Sequence, residues 1–164
     1  MPKKGPQKQP SAIRCIEFIA QTHHYTVRTR KKDRKSPVDE KTFLPDVVAV
    51  PNRGKVKRVF EVEASVTNNT VYKSLSSLLT SLKTGNVVTY LVVPDKRVEF
   101  AKGCFANLKS VIRFFSKDAK GAYPKIKLDV IGFSDIAKHH AKAKKYEESN
   151  RIGPPPKCPF LPRA

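Results

Sequence analysis

The chain has 164 residues, of which 39% are hydrophobic, the size and composition of a single domain with a real core. Its 33 Lys+Arg against 14 Asp+Glu give a formal charge of +19, a field that favours a polyanion as partner, nucleic acid before any other. No apolar stretch approaches the ~20 residues of a membrane span, so no membrane partner is expected.

Residues 1–10 are basic and rich in Pro and Gln, with no apolar region behind them. They read as a disordered arm and not as a secretory signal. Ser11 reads as the N-cap of a helix in which Ala12, Ile13, Cys15, Ile16, Ile19 and Ala20 recur at helical spacing up to about His23. A strand follows over Tyr25–Thr29. The run Arg28, Arg30, Lys31, Lys32, Arg34 and Lys35 then makes a basic loop, ended by Ser36-Pro37. Two apolar strands come next, Phe43–Val50 and Val56–Val66, joined by the turn signal Pro51-Asn52-Arg53-Gly54.

After Thr67-Asn68-Asn69-Thr70 the pattern Val71, Leu75, Leu78, Leu79 and Leu82 predicts a helix over Val71–Lys83, capped by Gly85. Val87–Val93 is almost wholly apolar, as a covered central strand should be. A helix from about Arg97 to Phe115, a strand over Lys125–Phe133 and a basic helix capped by Ser134 and ending near Glu148 complete the domain. The tail, 151–164, has five prolines and reads as extended or disordered. The expected division is an arm over 1–10, one domain over 11–150 and the Pro-rich tail. The element order implies an α/β fold: a central mixed sheet of four to five strands with helices on both faces.

The chemistry concentrates in the paired strands. Side chains alternate with period two, so Val59, Glu61 and Glu63 share one face, and Phe60, Val62 and Ala64 the other, which is apolar enough to be the buried one. With Asp46 opening the preceding strand, three carboxylates come to one place. Acids within such a run cost desolvation energy unless something positive holds them, and Mg²⁺ prefers one or two carboxylates with phosphate oxygens and water.

Pro45-Asp46, fourteen intervening residues and Glu61-Val62-Glu63, set between a leading helix and a following helix and apolar strand, resemble the PD-(D/E)XK nuclease superfamily. The resemblance spans roughly residues 11–133 and implies a restriction-endonuclease-like fold. It implies that Asp46 and Glu61 bind Mg²⁺, with Mn²⁺ as a substitute, and that Glu17 on the leading helix completes the metal site. Glu63 stands where the family usually has the lysine that serves the attacking water. As in Glu-x-Glu members, Glu63 is expected to be the base. Lys73 on the following helix is the second choice, although its helical position projects away from the apolar stripe.

The function this implies is metal-dependent endonucleolytic cleavage of double-stranded or branched DNA, in a restriction, junction-resolving or repair role. One active site per domain makes a homodimer the simple way to cut both strands. The alternative is a non-catalytic nucleic-acid-binding protein on a degenerate nuclease fold, its acids serving as ion-pair partners.

Remaining signals are weaker. Arg28, Arg30, Lys31, Lys32, Arg34 and Lys35 are candidate contacts to the DNA backbone, and Lys138, Lys142, Lys144 and Lys145 are similar; a solvated surface is the competing reading for both groups. Tyr72 either contacts nucleic acid or packs. His23-His24 and His139-His140 are adjacent pairs with no Cys at finger spacing, which argues against zinc and leaves phosphate contact open. Cys15, Cys104 and Cys158 are odd in number and far apart, pointing to a reducing, intracellular setting, cytoplasmic or nucleoid-associated.

Overall fold

Runs of β-branched and aromatic residues form the strands of one sheet, and the apolar stripe of each helix gives it a side to bury against that sheet. The computed structural model of the chain describes residues 9–29, 45–53, 56–65, 67–81, 86–115 and 127–162. In chain order the elements are α1 (Gln9–Thr22), β1 (Tyr25–Thr29), β2 (Val47–Pro51), β3 (Lys57–Val62), α2 (Asn68–Ser81), β4 (Val87–Val93), α3 (Val98–Phe115), β5 (Leu128–Gly132) and α4 (Phe133–Glu148), with a 3₁₀ turn at Asp95–Arg97 leading into α3. The expected α/β class with a mixed, helix-flanked sheet is what the chain forms.

The five strands lie in the order β1-β2-β3-β4-β5. β1 and β2 are antiparallel, with Tyr25 opposite Pro51 and Thr29 opposite Val47. β2 and β3 are antiparallel, with Val47 opposite Phe60 and Ala49 opposite Arg58. β3, β4 and β5 are parallel, so Val62, Val92 and Ile131 sit side by side near one edge of the sheet. Parallel neighbours need crossover connections, and α2 and α3 supply them.

Both crossover helices pack on one face, where Val71, Leu75, Leu78, Ala101 and Cys104 meet Val48, Val59, Leu91 and Val130. α1 and α4 cover the other face, where Ile16, Ile19, Ile136 and Ala143 meet Val47, Phe60, Tyr90 and Val92. The structure therefore corrects the expectation that only the Phe60–Val62 face of β3 is buried. The crossovers occupy the Val59–Glu61 face and the terminal helices the other, so neither is left to solvent.

Three boundaries move for identifiable reasons. α1 starts at Gln9, so Ser11 lies inside its first turn and is not the cap. α2 starts three residues before the first apolar position, because Thr67 and Thr70 form a reciprocal cap. Thr67 Oγ1 accepts from the Thr70 amide at 3.3 Å, and Thr70 Oγ1 accepts from the Thr67 amide at 2.9 Å. α4 starts at Phe133, and Ser134 is not its cap either. Asp95, in the 3₁₀ turn after β4, accepts from the Ser134 amide at 2.9 Å and from its hydroxyl at 2.8 Å. The expected cap at Gly85 lies outside the described residues.

The tail is not extended away from the domain. Cys158, Phe160 and Leu161 are buried in the α1/α4 core, and Tyr25 Oη donates to the Pro162 carbonyl at 2.7 Å. Phe160 meets Phe60, Tyr90 and His139 edge-on, with ring centroids 6.3, 6.3 and 5.1 Å away. Burying one phenyl ring contributes about 1.5–3 kcal/mol, to which the buried Cys158 and Leu161 add in holding the strap. Burial pushes the Cys158 thiol up to about 11, which keeps it protonated and unreactive. Among the described residues no helix is long and apolar enough to cross a membrane.

Candidate active site

Pro45 and Asp46 stand just before β2 instead of within it. The β2–β3 register, continued one residue from the Val47–Phe60 pair, places Asp46 opposite Glu61. Both then share the face of Val48 and Val59, beneath α2 and α3. Asp46 is 5% exposed and Glu61 9%. The two strands exchange hydrogen bonds through these side chains: the Asp46 amide donates to Glu61 Oε2 at 3.2 Å, and the Val62 amide donates to Asp46 Oδ2 at 2.9 Å. Each carboxylate is thus held by the backbone of the strand opposite.

Glu63 lies one residue past the end of β3, although its amide still donates to the Val92 carbonyl at 2.9 Å. Its Oε1 accepts from Ser74 Oγ at 2.5 Å. Ser74 is 3% exposed and lies among Val71, Leu75 and Leu78 on the inward face of α2. That face delivers Ser74 to Glu63 and leaves Lys73 exposed, as the helical projection predicts for the lysine. Ser74 was not among the candidates read from the sequence. Its signal was a serine at the i+3 position of an otherwise apolar stripe.

The other candidates fall elsewhere. Glu17 is half-buried on α1, in the layer across the sheet from α2 and α3. Tyr72 is 37% exposed on α2. Arg28 is exposed on β1, the edge strand. Arg30, Lys31, Lys32, Arg34 and Lys35 lie outside the described residues. Among the described residues no set of three or more His, Cys, Asp or Glu is arranged to hold a metal ion. The structure brings Asp46 and Glu61 together and adds neither Glu17 nor Glu63 to them as a third ligand.

The donor chemistry of Asp46 and Glu61 nonetheless fits Mg²⁺ or Mn²⁺. Both are hard oxygen ligands, and Mg²⁺ is ordinarily held by only one or two carboxylates, keeping water and phosphate oxygens in its other positions. The Val62 and Asp46 amides orient one oxygen of each acid, as outer-shell partners of a metal ligand do.

Three of the four histidines are packing groups, and His24 is exposed. His23 is buried, His139 meets Phe160, and His140 meets Phe18 edge-on with centroids 5.2 Å apart. Burial lowers the pKa of all three, so they are neutral at pH 7. A cavity of about 440 Å³ opens between β4, β5, α4 and the tail, lined by Tyr90, Asp129, Asp135, His139 and Phe160, on the sheet face opposite Glu61. Comparison of the chain with family models, with curated proteins and with solved structures finds no match.

Proposed function

We propose that this protein is a metal-dependent nuclease that hydrolyses phosphodiester bonds in DNA endonucleolytically, on a restriction-endonuclease-like fold. The observation that carries the reading is the buried juxtaposition of Asp46 and Glu61 across β2 and β3, with Glu63 two residues further along the same strand path. Support also comes from the order of the elements around the pair, a helix, a three-stranded antiparallel meander, a crossover helix and a parallel strand. The +19 charge suits a phosphate-backbone substrate, which an isolated acidic site would repel.

In this reading Asp46 and Glu61 hold Mg²⁺, or Mn²⁺ in its place. An ion held there would supply neutralisation of the charge that builds on the non-bridging phosphate oxygens. Glu63, fixed by the Ser74 hydroxyl, takes the proton of the attacking water. Lys73 faces solvent and takes no part. One such site per chain cuts one strand, so cleavage of both strands calls for a homodimer or for two sequential nicks. A restriction, junction-resolving or repair setting inside the cell follows from the substrate.

One observation favours a second, non-catalytic reading. Because Asp46 and Glu61 each accept an amide from the opposite strand, they can serve as a structural staple where the β2–β3 ladder ends. Supercoiled plasmid and a branched duplex, incubated with Mg²⁺, with Mn²⁺ and with chelator, separate the two. Metal-dependent cleavage that disappears in Asp46→Ala and Glu61→Ala supports the nuclease. DNA binding without cleavage under either metal replaces it with the binding protein.

A further inference from the structure

We infer that the outer face of α4 is a docking surface for nucleic-acid phosphates, built on Lys138, Lys142 and Lys145. The inference deepens the proposed reading by naming where its substrate is gripped, and rests on that reading for the identity of the polyanion. α4 turns Phe133, Ile136 and Ala143 into the core. At 100° per residue the three lysines fall within about 60° of one another, directly opposite that buried side. All three are exposed. The described ion pairs, Lys102–Glu99 and Arg151–Glu147, engage none of them.

A surface serving only solubility mixes both signs of charge. Between Asp135 and Glu147, α4 has four lysines and no acid. Lys138 and Lys142, at i and i+4, repel each other by a few tenths of a kcal/mol with no acid between them to offset it. Exposed Asp135 stands one turn before Lys138; from Lys138 to Lys145 this face carries only positive charge, a binding field for a polyanion. It spans about 10 Å of rigid helix, against one negative charge per ~1.7 Å of duplex axis.

An anionic membrane is the poorer fit. Interfacial helices insert an apolar face, and the apolar face of α4 is committed to the core. α4 begins at the C-terminal ends of the parallel strands, where Glu61 and Glu63 also lie, but packs on the sheet face opposite Glu61, so a duplex held on the stripe reaches the acids around that end of the sheet.

The test uses the full chain in chelator, with a labelled duplex followed by fluorescence anisotropy between 50 and 200 mM KCl. Each lost phosphate contact should make the plot of log K against log[salt] shallower by about 0.9, hence about 2.7 for the triple variant Lys138→Gln, Lys142→Gln, Lys145→Gln. A charge-matched control, Lys96→Gln, Lys102→Gln, Lys109→Gln, should leave the slope close to wild type. Unchanged helicity and melting temperature show that the fold survives. An unchanged slope in the α4 variant, an equal change in the control, or stripe-dependent binding to phosphatidylserine vesicles but not to DNA would each overturn the inference. Absence of cleavage with Mg²⁺, together with the expected slope change, sinks the nuclease reading and leaves the surface standing.

Discussion

Asp46 and Glu61 face each other across β2 and β3, and each is held by an amide of the opposing strand: Val62 N–H to Asp46 Oδ2 at 2.9 Å, Asp46 N–H to Glu61 Oε2 at 3.2 Å. A pair of acids so placed has a structural consequence and a metal-binding one, and they can be measured apart.

In chelator, Asp46→Ala removes the carboxylate acceptor of the buried Val62 amide and should destabilise the fold by about 1–3 kcal/mol in urea titrations. The conservative change Asp46→Asn keeps an acceptor there and should cost less. With Mg²⁺ added, the wild-type melting temperature should rise with metal concentration, because a ligand of the native state stabilises it by mass action. In Asp46→Asn and Glu61→Gln that rise should be lost. A metal-dependent rise that survives both substitutions places the ion elsewhere.

Glu63 is positioned by Ser74, whereas Lys73 points to solvent. Cleavage by Ser74→Ala should slow about tenfold or more, an orientation loss of at least about 1.4 kcal/mol in the barrier. Lys73→Ala should cleave as wild type. If Lys73→Ala is the inactive variant, the base assignment passes from Glu63 to Lys73.

A Cβ added at Gly132 would lie 2.3 Å from Asp95 Oδ1, the atom that caps α4. The backbone there is ordinary (φ −79), so the cost of Gly132→Ala is steric and falls on the cap. Asp95→Ala should cost about 1 kcal/mol. Gly132→Ala should cost less in the Asp95→Ala background than alone, giving a measurable coupling in a double-mutant cycle. Additive effects would show that the cap and the glycine are independent.

Phe160 fills the space between Phe60, Tyr90 and His139. Phe160→Ala should destabilise by about 3–5 kcal/mol, the usual cost of removing a buried ring. Truncation before Cys158 should do at least as much. A truncated chain with an unchanged urea midpoint would mean that the tail is dispensable.

Burial holds the pKa of His23, His139 and His140 below the ordinary value of 6.5. His139 and His24 reinforce this for His23, Lys142 and Lys138 for His139 against an opposing pull from Asp135, and Lys144 for His140. The unfolded chain therefore takes up protons that the folded chain resists. Stability should be flat above pH 7 and decline as pH falls through 6.5, with the unfolded state binding more protons. Urea midpoints at pH 8, 6.5 and 5.5 test this, and His23→Asn should flatten the dependence.

By itself, the sequence determined the order and type of the elements, because period-two and period-3.6 patterns are local. It also determined that Asp46 and Glu61 meet, since a hairpin turn between two apolar strands sets their register within a residue or two. It carried the charge of the α4 stripe for the same reason: one helix face is read from spacing alone. The tertiary structure decided what depends on distant segments meeting. Residues 39 apart in sequence make the α4 cap at Asp95–Ser134, and residues 137 apart fasten the tail at Tyr25–Pro162, and nothing in the local pattern of either partner announces the other. Only the fold could show that α2 and α3 share one sheet face and α1 and α4 the other, or that Ser74 rather than Lys73 reaches Glu63. Those outcomes are set by which helix packs on which face, a property of the assembled layers and not of any one segment.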